Sequence, residues 1–308
     1  MKLAEPKYIY VLFIVGAVLL LARAMSSIAV ENSALFYVGL PFLISFALFH
    51  LVPRAEGDAV IASYPRHLRD ATIIMLATSG ILQEGFLCVL FFMPIYYIIL
   101  SATYLVLWNE ERKRRKSDIN TFGIAVPLLL LATSIEGVTP HTSFDRTHSL
   151  SQTVVTDASI AEIKANLAIP LDFPKADTAF LSIFPKPIAS YAGSLQEGDV
   201  HTLDFVYKKW VVTNAKRGTF KLRIDEVSDK RVRTSVVENT AYFSAYMNID
   251  GTQIDFESLA NGQTKITLTL HYERILDPAW YFDPLQRLAM QQSADYLMTH
   301  IILREETV

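Results

Sequence analysis

The stretch LTLHYERILDPAWYFDPLQRLAMQQSADYLM, Leu268 to Met298, changes its period halfway along. Up to Leu276 apolar and polar residues alternate. Ile266, Leu268, Leu270 and Tyr272 face one way, with Lys265, Thr267, Thr269, His271 and Glu273 opposite, the pattern of a strand with one buried face. After the aromatic trio Trp280-Tyr281-Phe282, the spacing becomes helical. Asp283 suits an N-cap and Pro284 the first helical position, so a helix is expected to open there. Leu285, Leu288, Ala289, Ala294, Leu297, Met298 and Ile301 then recur at three- and four-residue intervals. A sheet with one apolar face needs a cover, and this helix is long enough to cross it.

Upstream the signals are of the same kind. SLSQTVVT, Ser149 to Thr156, reads as a strand, and Ser159 with Glu162 forms a capping box for the helix IAEIKANLA. The next segment is punctuated by proline, and a second short helix is expected between Pro174 and Pro185. From Ile188 strand-like runs alternate with turn signals, including Ser228-Asp229-Lys230 and Ala260-Asn261-Gly262-Gln263. Leu203, Phe205 and Tyr207 share a face, as do Phe220, Leu222 and Ile224. Consecutive antiparallel hairpins satisfy this order most economically.

The first half is of a different nature. The chain is 308 residues long with a net charge of −3 and 51% apolar residues, and the apolar residues concentrate before about Val138. Tyr8 to Ala24 and Ala34 to Val52 are each near the roughly 20 residues that cross a bilayer. Ala71 to Trp108 is about twice that length and reads as a helical hairpin, turning either at Gln83-Glu84-Gly85 or at Met93-Pro94. Thr121 to Val138 makes a fifth span. Residues 1–140 are thus read as a transmembrane helical domain of about five spans, and 141–308 as an α+β domain.

Asn109 to Lys116 holds five basic residues beside a membrane end, and Arg54, Arg66 and Arg69 fall in the other candidate cytoplasmic loop. The positive-inside rule then places the N-terminus in the cytoplasm and everything after Val138 on the exported side. In a Gram-negative host this is the inner membrane and the periplasm. The basic run is a topology signal, and no nucleic-acid partner is expected. Cys88 is the sole cysteine, so the exported domain must rely on its own core.

Glu84 and Glu136 each precede a glycine near the end of an apolar run, in ATSGILQEG and ATSIEG. An acid within a membrane is costly and often marks a pathway. At 1.5 Å per residue both lie about 24 Å from their helix starts, which favours the outer interface. A turn at Pro94 would move Glu84 inward.

HYERILDPAWYFDPLQRLAMQQSADYLM, FLSIFPKPIASYAGSLQEGDVHTLDF and ILQEG resemble, in turn, the C-terminal, middle and membrane parts of bacterial membrane-linked members of the START-related superfamily. This superfamily is also called SRPBCC or polyketide cyclase/dehydrase-like. The resemblance implies a helix-grip domain, a curved antiparallel sheet wrapped on a long C-terminal helix. It also implies a cavity between the two for an apolar molecule. Candidate lining residues are Leu270, Tyr272, Met290 and Leu297, with Arg274 placed to meet an anionic headgroup. Alternatively, these side chains fill a solid core, or Arg274 snorkels to water. Trp280, Tyr281 and Phe282 are candidates for a gate, for membrane contact, or for packing the strand-to-helix corner.

No metal-ligand spacing, nucleophile elbow or phosphate-binding glycine loop is present in the second half, and no cofactor is expected. His201, two residues before Leu203, is the best lone candidate for acid–base work. The sequence reading is a membrane-anchored binder of a hydrophobic ligand, lipid or isoprenoid-like. A cyclase or dehydratase acting in the same cavity, and an assembly partner with a filled core, are the alternatives.

Overall fold

A computed structural model describes residues 32–51, 60–82, 86–114, 129–130, 132–171, 173, 178–208 and 215–304. The chain divides into two compact units: Met1–Phe144 with Leu276–Tyr281, and Asp145–Ile275 with Phe282–Val308.

The first unit is helical. A π-turn, Leu35–Gly39, runs into α1 (Leu40–Leu51), followed by α2 (Val60–Leu82) and α3 (Phe86–Arg114). Helix α2 ends at Leu82 and α3 begins at Phe86, with Pro94 inside α3. Glu84 therefore sits among residues outside the description. Ala71, Met75, Tyr96, Leu100 and Tyr104 pack α2 on α3, while Ala34, Val38, Phe42, Ile95 and Ile99 form a second cluster.

Apolar side chains also lie on the outside of this unit, and polar ones within it. Ile73, Leu76, Leu90, Ile98 and Leu105 are exposed, whereas Ser63, His67, Thr103 and Tyr104 are buried. A polar seam joins α2 to α3: the Tyr104 hydroxyl contacts both Ser63 Oγ at 3.0 Å and His67 Nδ1. The Tyr64 hydroxyl meets Ser101 at 2.7 Å and that of Tyr97 meets Thr72 at 2.7 Å.

Among the described residues one helix, Val89–Asn109, is long and apolar enough to cross a membrane, and Leu35–Ser45 is a shorter apolar helix. This is fewer than the five spans expected from sequence. Tyr8 to Ala24 and half of Thr121 to Val138 lie outside the described residues. The first arm of the hairpin also starts earlier than its apolar run. Arg66 and Arg69 consequently ride on α2 rather than in a loop, and Arg69 pairs with Asp70 at 2.8 Å.

The second unit is a seven-stranded antiparallel sheet with helices. Its elements are β1 (Thr147–Thr156), α4 (Ile160–Ala168), α5 (Ala179–Ser182), β2 (Lys186–Tyr191), β3 (Val200–Lys208), β4 (Ala215–Val227), β5 (Arg231–Asn239), β6 (Met247–Ser258) and β7 (Thr264–Arg274). A 3-10 turn, Tyr242–Ala245, links β5 to β6. The last helix, α6 (Ala279–Tyr296), continues into a π-turn, Leu297–Leu303. The strand order is β1-β7-β6-β5-β4-β3-β2. A chain of hairpins whose last strand returns beside the first, with a long C-terminal helix across one face, fits the helix-grip arrangement.

Local signals explain much of this. The Ser159–Glu162 capping box opens α4 as its sequence requires. Asn261-Gly262 turns β6 into β7, with Gly262 at φ +85°. Near the β6 bulge, Gly251 is fixed by close approach: a Cβ there would lie 2.0 Å from the Thr234 carbonyl oxygen.

The start and facing of the last helix differ from the sequence expectation. Asp283 is not its N-cap; α6 begins four residues earlier, at Ala279. The buried row is Phe282, Met290, Ala294, Met298 and Ile302, and Leu288 is 42% exposed. The face that meets the sheet is therefore rotated from the leucine stripe. Gln286 stands in the same i, i+4 row as Phe282 and Met290, and is buried with them.

Candidate functional site

Cross-strand register places one continuous apolar face on the sheet. Val232 opposes Ile254, which opposes Leu268, and Leu222 opposes Val236. This face falls into two parts.

The first part lies under α6. Leu270, Tyr272 and Met290, three of the residues expected to line a cavity, belong to one packed cluster with Ile163, Ile266, Leu268, Ala294 and Met298. Leu297 packs against its margin. Here the sheet and helix are in direct contact.

At one end of this cluster is a buried ionic group. Arg274 is 0% exposed, and its Nε lies 2.5 Å from Asp283 Oδ1. The same Asp283 oxygen is 3.4 Å from His148 Nε2, and the His148 ring lies against Tyr272 at 5.6 Å. Strand pairing makes this geometry: His148 opposes Tyr272, so both point inward, and Arg274 follows two residues on. Burial pushes the Tyr272 phenol up from its ordinary value, with Arg287 acting the other way and Asp283 reinforcing the rise. The expected anionic partner of Arg274 is thus met within the chain, by the residue whose local sequence suits a helix cap. Burying an unpaired guanidinium would be prohibitive, and Asp283 supplies the compensating charge.

The second part lies on β3 and β4 and is only partly covered. Leu203, Phe205, Phe220 and Ala241 are buried, but Leu171, Phe173, Leu222, Val236, Phe243 and Ile249, packed around them, remain half-buried. Phe205, Phe220 and Phe243 form a triangle of rings, with centroids 5.4 to 6.4 Å apart. Beside it Tyr207 stacks on Tyr242 at 4.1 Å, and the Tyr246 hydroxyl donates to that of Tyr242 at 2.9 Å. Lys216 Nζ stands 5.5 Å from the Tyr242 ring centroid. Gln286 of α6 reaches this turn, its Nε2 donating to the Tyr246 carbonyl at 2.9 Å.

Sequence reasoning passes over the turn. The 241–247 stretch, AYFSAYM, has neither strand nor helix period; its only signal is three aromatic residues in five positions, Tyr242, Phe243 and Tyr246.

The aromatic trio is divided. Trp280 is 48% exposed; Phe282 is buried in the second unit. Tyr281 belongs to the helical unit, where its hydroxyl donates to the Phe91 carbonyl at 2.6 Å and its ring joins the cluster of Val38 and Ile95. Burial pushes the Tyr281 phenol up to about 12.

Glu136 is buried in the same unit, in the turn following residues 132–133, and accepts the backbone N–H of Ala279 at 2.8 Å. His201 is buried and its Nε2 donates to the Ser194 carbonyl at 2.7 Å. Among the described residues no group of three or more His, Cys, Asp or Glu is disposed to hold a metal ion.

No family model matches the chain, and no curated protein does. Solved structures similar to part of it include a START superfamily protein from Mycobacterium smegmatis, at 16% identity, over 50% of this chain and 97% of that one, with a TM-score of 0.33. A protein from Chromobacterium violaceum matches at 15% identity over 51% and 98%, with a TM-score of 0.34. Major latex-like protein 151 from Panax ginseng matches at 13% identity over 49% and 99%, with a TM-score of 0.28. At these values the fold assignment rests on the strand order and helix packing described above.

Proposed function

We propose that the chain is a membrane-anchored protein that holds an apolar small molecule, lipid or isoprenoid-like, against the aromatic part of its sheet. The observation that carries this reading is the asymmetry of the apolar face. Under α6 the buried side chains outnumber the partly buried ones at the margin, such as Leu150, Val154 and Leu195, whereas around Phe205, Phe220 and Phe243 the half-buried side chains outnumber the buried ones. Covering that set with an apolar molecule is favourable at roughly 25 cal/mol per Å² of surface removed from water. The site is thereby shifted from the residues nominated on β7 and α6 to β3, β4 and the Tyr242–Ala245 turn.

Anchoring is supported by the helical unit. Exposed Ile73, Leu76, Ile98 and Leu105 around a buried seam of Ser, Thr, Tyr and His is the arrangement a lipid solvent favours. The basic residues at the end of α3 favour a cytoplasmic location for that end, with the sheet unit on the exported side.

The test is native mass spectrometry of the full-length protein released from detergent, followed by extraction of bound molecules. An apolar molecule retained near one per chain, and lost in Phe243→Ala with the circular dichroism spectrum unchanged, is expected. A well-folded protein carrying nothing, and taking up nothing from a total lipid extract, would overturn the reading.

A further inference from the structure

Gln286 stands where an apolar residue belongs. It occupies the row of α6 that otherwise buries Phe282, Met290, Ala294 and Met298, and it is 9% exposed. Its amide cannot be turned around: the Tyr246 carbonyl accepts only, so the nitrogen must face it, at 2.9 Å. That fixes the oxygen on the other side, and Gln286 Oε1 is buried with no hydrogen-bond partner among the described residues. An acceptor left unmet in an interior costs about 1–3 kcal/mol, and a native structure that keeps one calls for a reason.

We infer that Gln286 Oε1 anchors the polar end of the bound molecule, and that this end is a neutral hydrogen-bond donor, an alcohol. This rests on the binding reading above and adds its headgroup chemistry. Three observations select the class. The orphaned atom is an acceptor, so it pairs with O–H and repels the lone pairs of a carboxylate or an ether. The buried cation, Arg274, is neutralised by Asp283, which removes the attraction that would favour an anion. An ammonium group is disfavoured because an uncharged amide oxygen leaves its buried charge uncompensated. Gln286 holds the main-chain carbonyl of Tyr246, three residues after Phe243 in the same turn, so an apolar body against Phe205, Phe220 and Phe243 and a hydroxyl at Gln286 belong to one molecule.

The test uses the full-length protein in detergent with a photoactivatable 16-carbon diazirine probe. Labelling of peptides spanning residues 203–246 is competed by 1-hexadecanol, by its methyl ether, or by hexadecanoate. Wild type is expected to be protected by the alcohol at concentrations at least tenfold below those needed for the ether or the acid. In Gln286→Leu, the alcohol and ether should come within twofold of each other. If alcohol and ether compete equally in wild type, the anchor is wrong while the apolar site stands. The anchor is equally wrong if Gln286→Leu keeps the preference. If the probe never labels these peptides, both readings fall. The wild-type ratio needs no variant, so a misfolded Gln286→Leu leaves the test intact.

Discussion

The Glu136 carboxylate accepts the backbone N–H of Ala279 at 2.8 Å, so the first turn of the last helix is capped by a residue 143 positions earlier. The cap is part of a small set of main-chain bonds within the helical unit. Ala34 N–H donates to the Glu136 carbonyl at 2.9 Å, and Asp277 N–H to that of Asn32 at 2.7 Å. A carboxylate at a helix N-terminus satisfies an otherwise orphaned donor and complements the helix dipole. Glu136→Ala should therefore cost about 1 kcal/mol, read as a lowered Tm, and Glu136→Gln, which keeps an acceptor, less. Equal melting of all three proteins would show that the cap contributes nothing.

Gly137, next to it, is required twice over. Its φ is +78°, and a Cβ would fall 1.9 Å from Asp277 Oδ2. Gly137→Ala should exceed the roughly 1–2 kcal/mol of a left-handed alanine. A thermal melt of full-length Gly137→Ala that overlays wild type would contradict this placement.

The Arg274–Asp283 pair predicts a non-additive cycle. Asp283→Asn or Arg274→Met alone leaves a buried charge or strips its partner, at about 3–5 kcal/mol. The double variant should recover much of that loss. Chemical denaturation of the four proteins measures the coupling, and additivity within about 0.5 kcal/mol would argue against a functional pair.

Two acids on β6 should respond to pH with opposite sign. Burial acts to raise Asp255, but hydrogen bonds from Gln253 and Arg231 and the Arg231 charge outweigh it and hold the carboxyl below its usual value of 3.8. Its contribution is present above that value and lost as pH falls through the lowered one. Asp250 is raised, first by burial and then by Glu273, so its ionised form weakens the folded state at neutral pH. Asp250→Asn should raise Tm at pH 7 and leave it unchanged at pH 3, and Asp255→Asn should lower Tm at pH 7 and by less at pH 3. Melting curves at both pH values decide each case.

The sheet is legible in the sequence because alternation along β7 and the Asn261-Gly262 turn are local features. The start of α6 is not, since its cap comes from Glu136, and Asp283-Pro284 offers a convincing local substitute. The buried row is hidden because Gln286 interrupts it, making the leucine stripe through Leu288 look better than the true contact face. Strand parity aligns Arg274 with Tyr272 correctly, yet the counter-ion Asp283 lies nine residues on and carries the local signature of a cap. The aromatic turn at Tyr242–Ala245 carries no period, so only the fold brings Phe243 to Phe205 and Phe220. In the helical half, Arg66 and Arg69 suggest a loop by their charge, whereas an exposed helix face accommodates them equally well.

The most direct test of the central claim is to map where the diazirine probe reacts in the full-length protein, by peptide mass spectrometry. Adducts concentrated on peptides holding Phe205, Phe220 and Phe243, and reduced in Phe243→Ala, are expected. Adducts confined to peptides from α1 to α3, with none on the sheet, would mean that the chain only meets lipid along its helices and holds no apolar ligand.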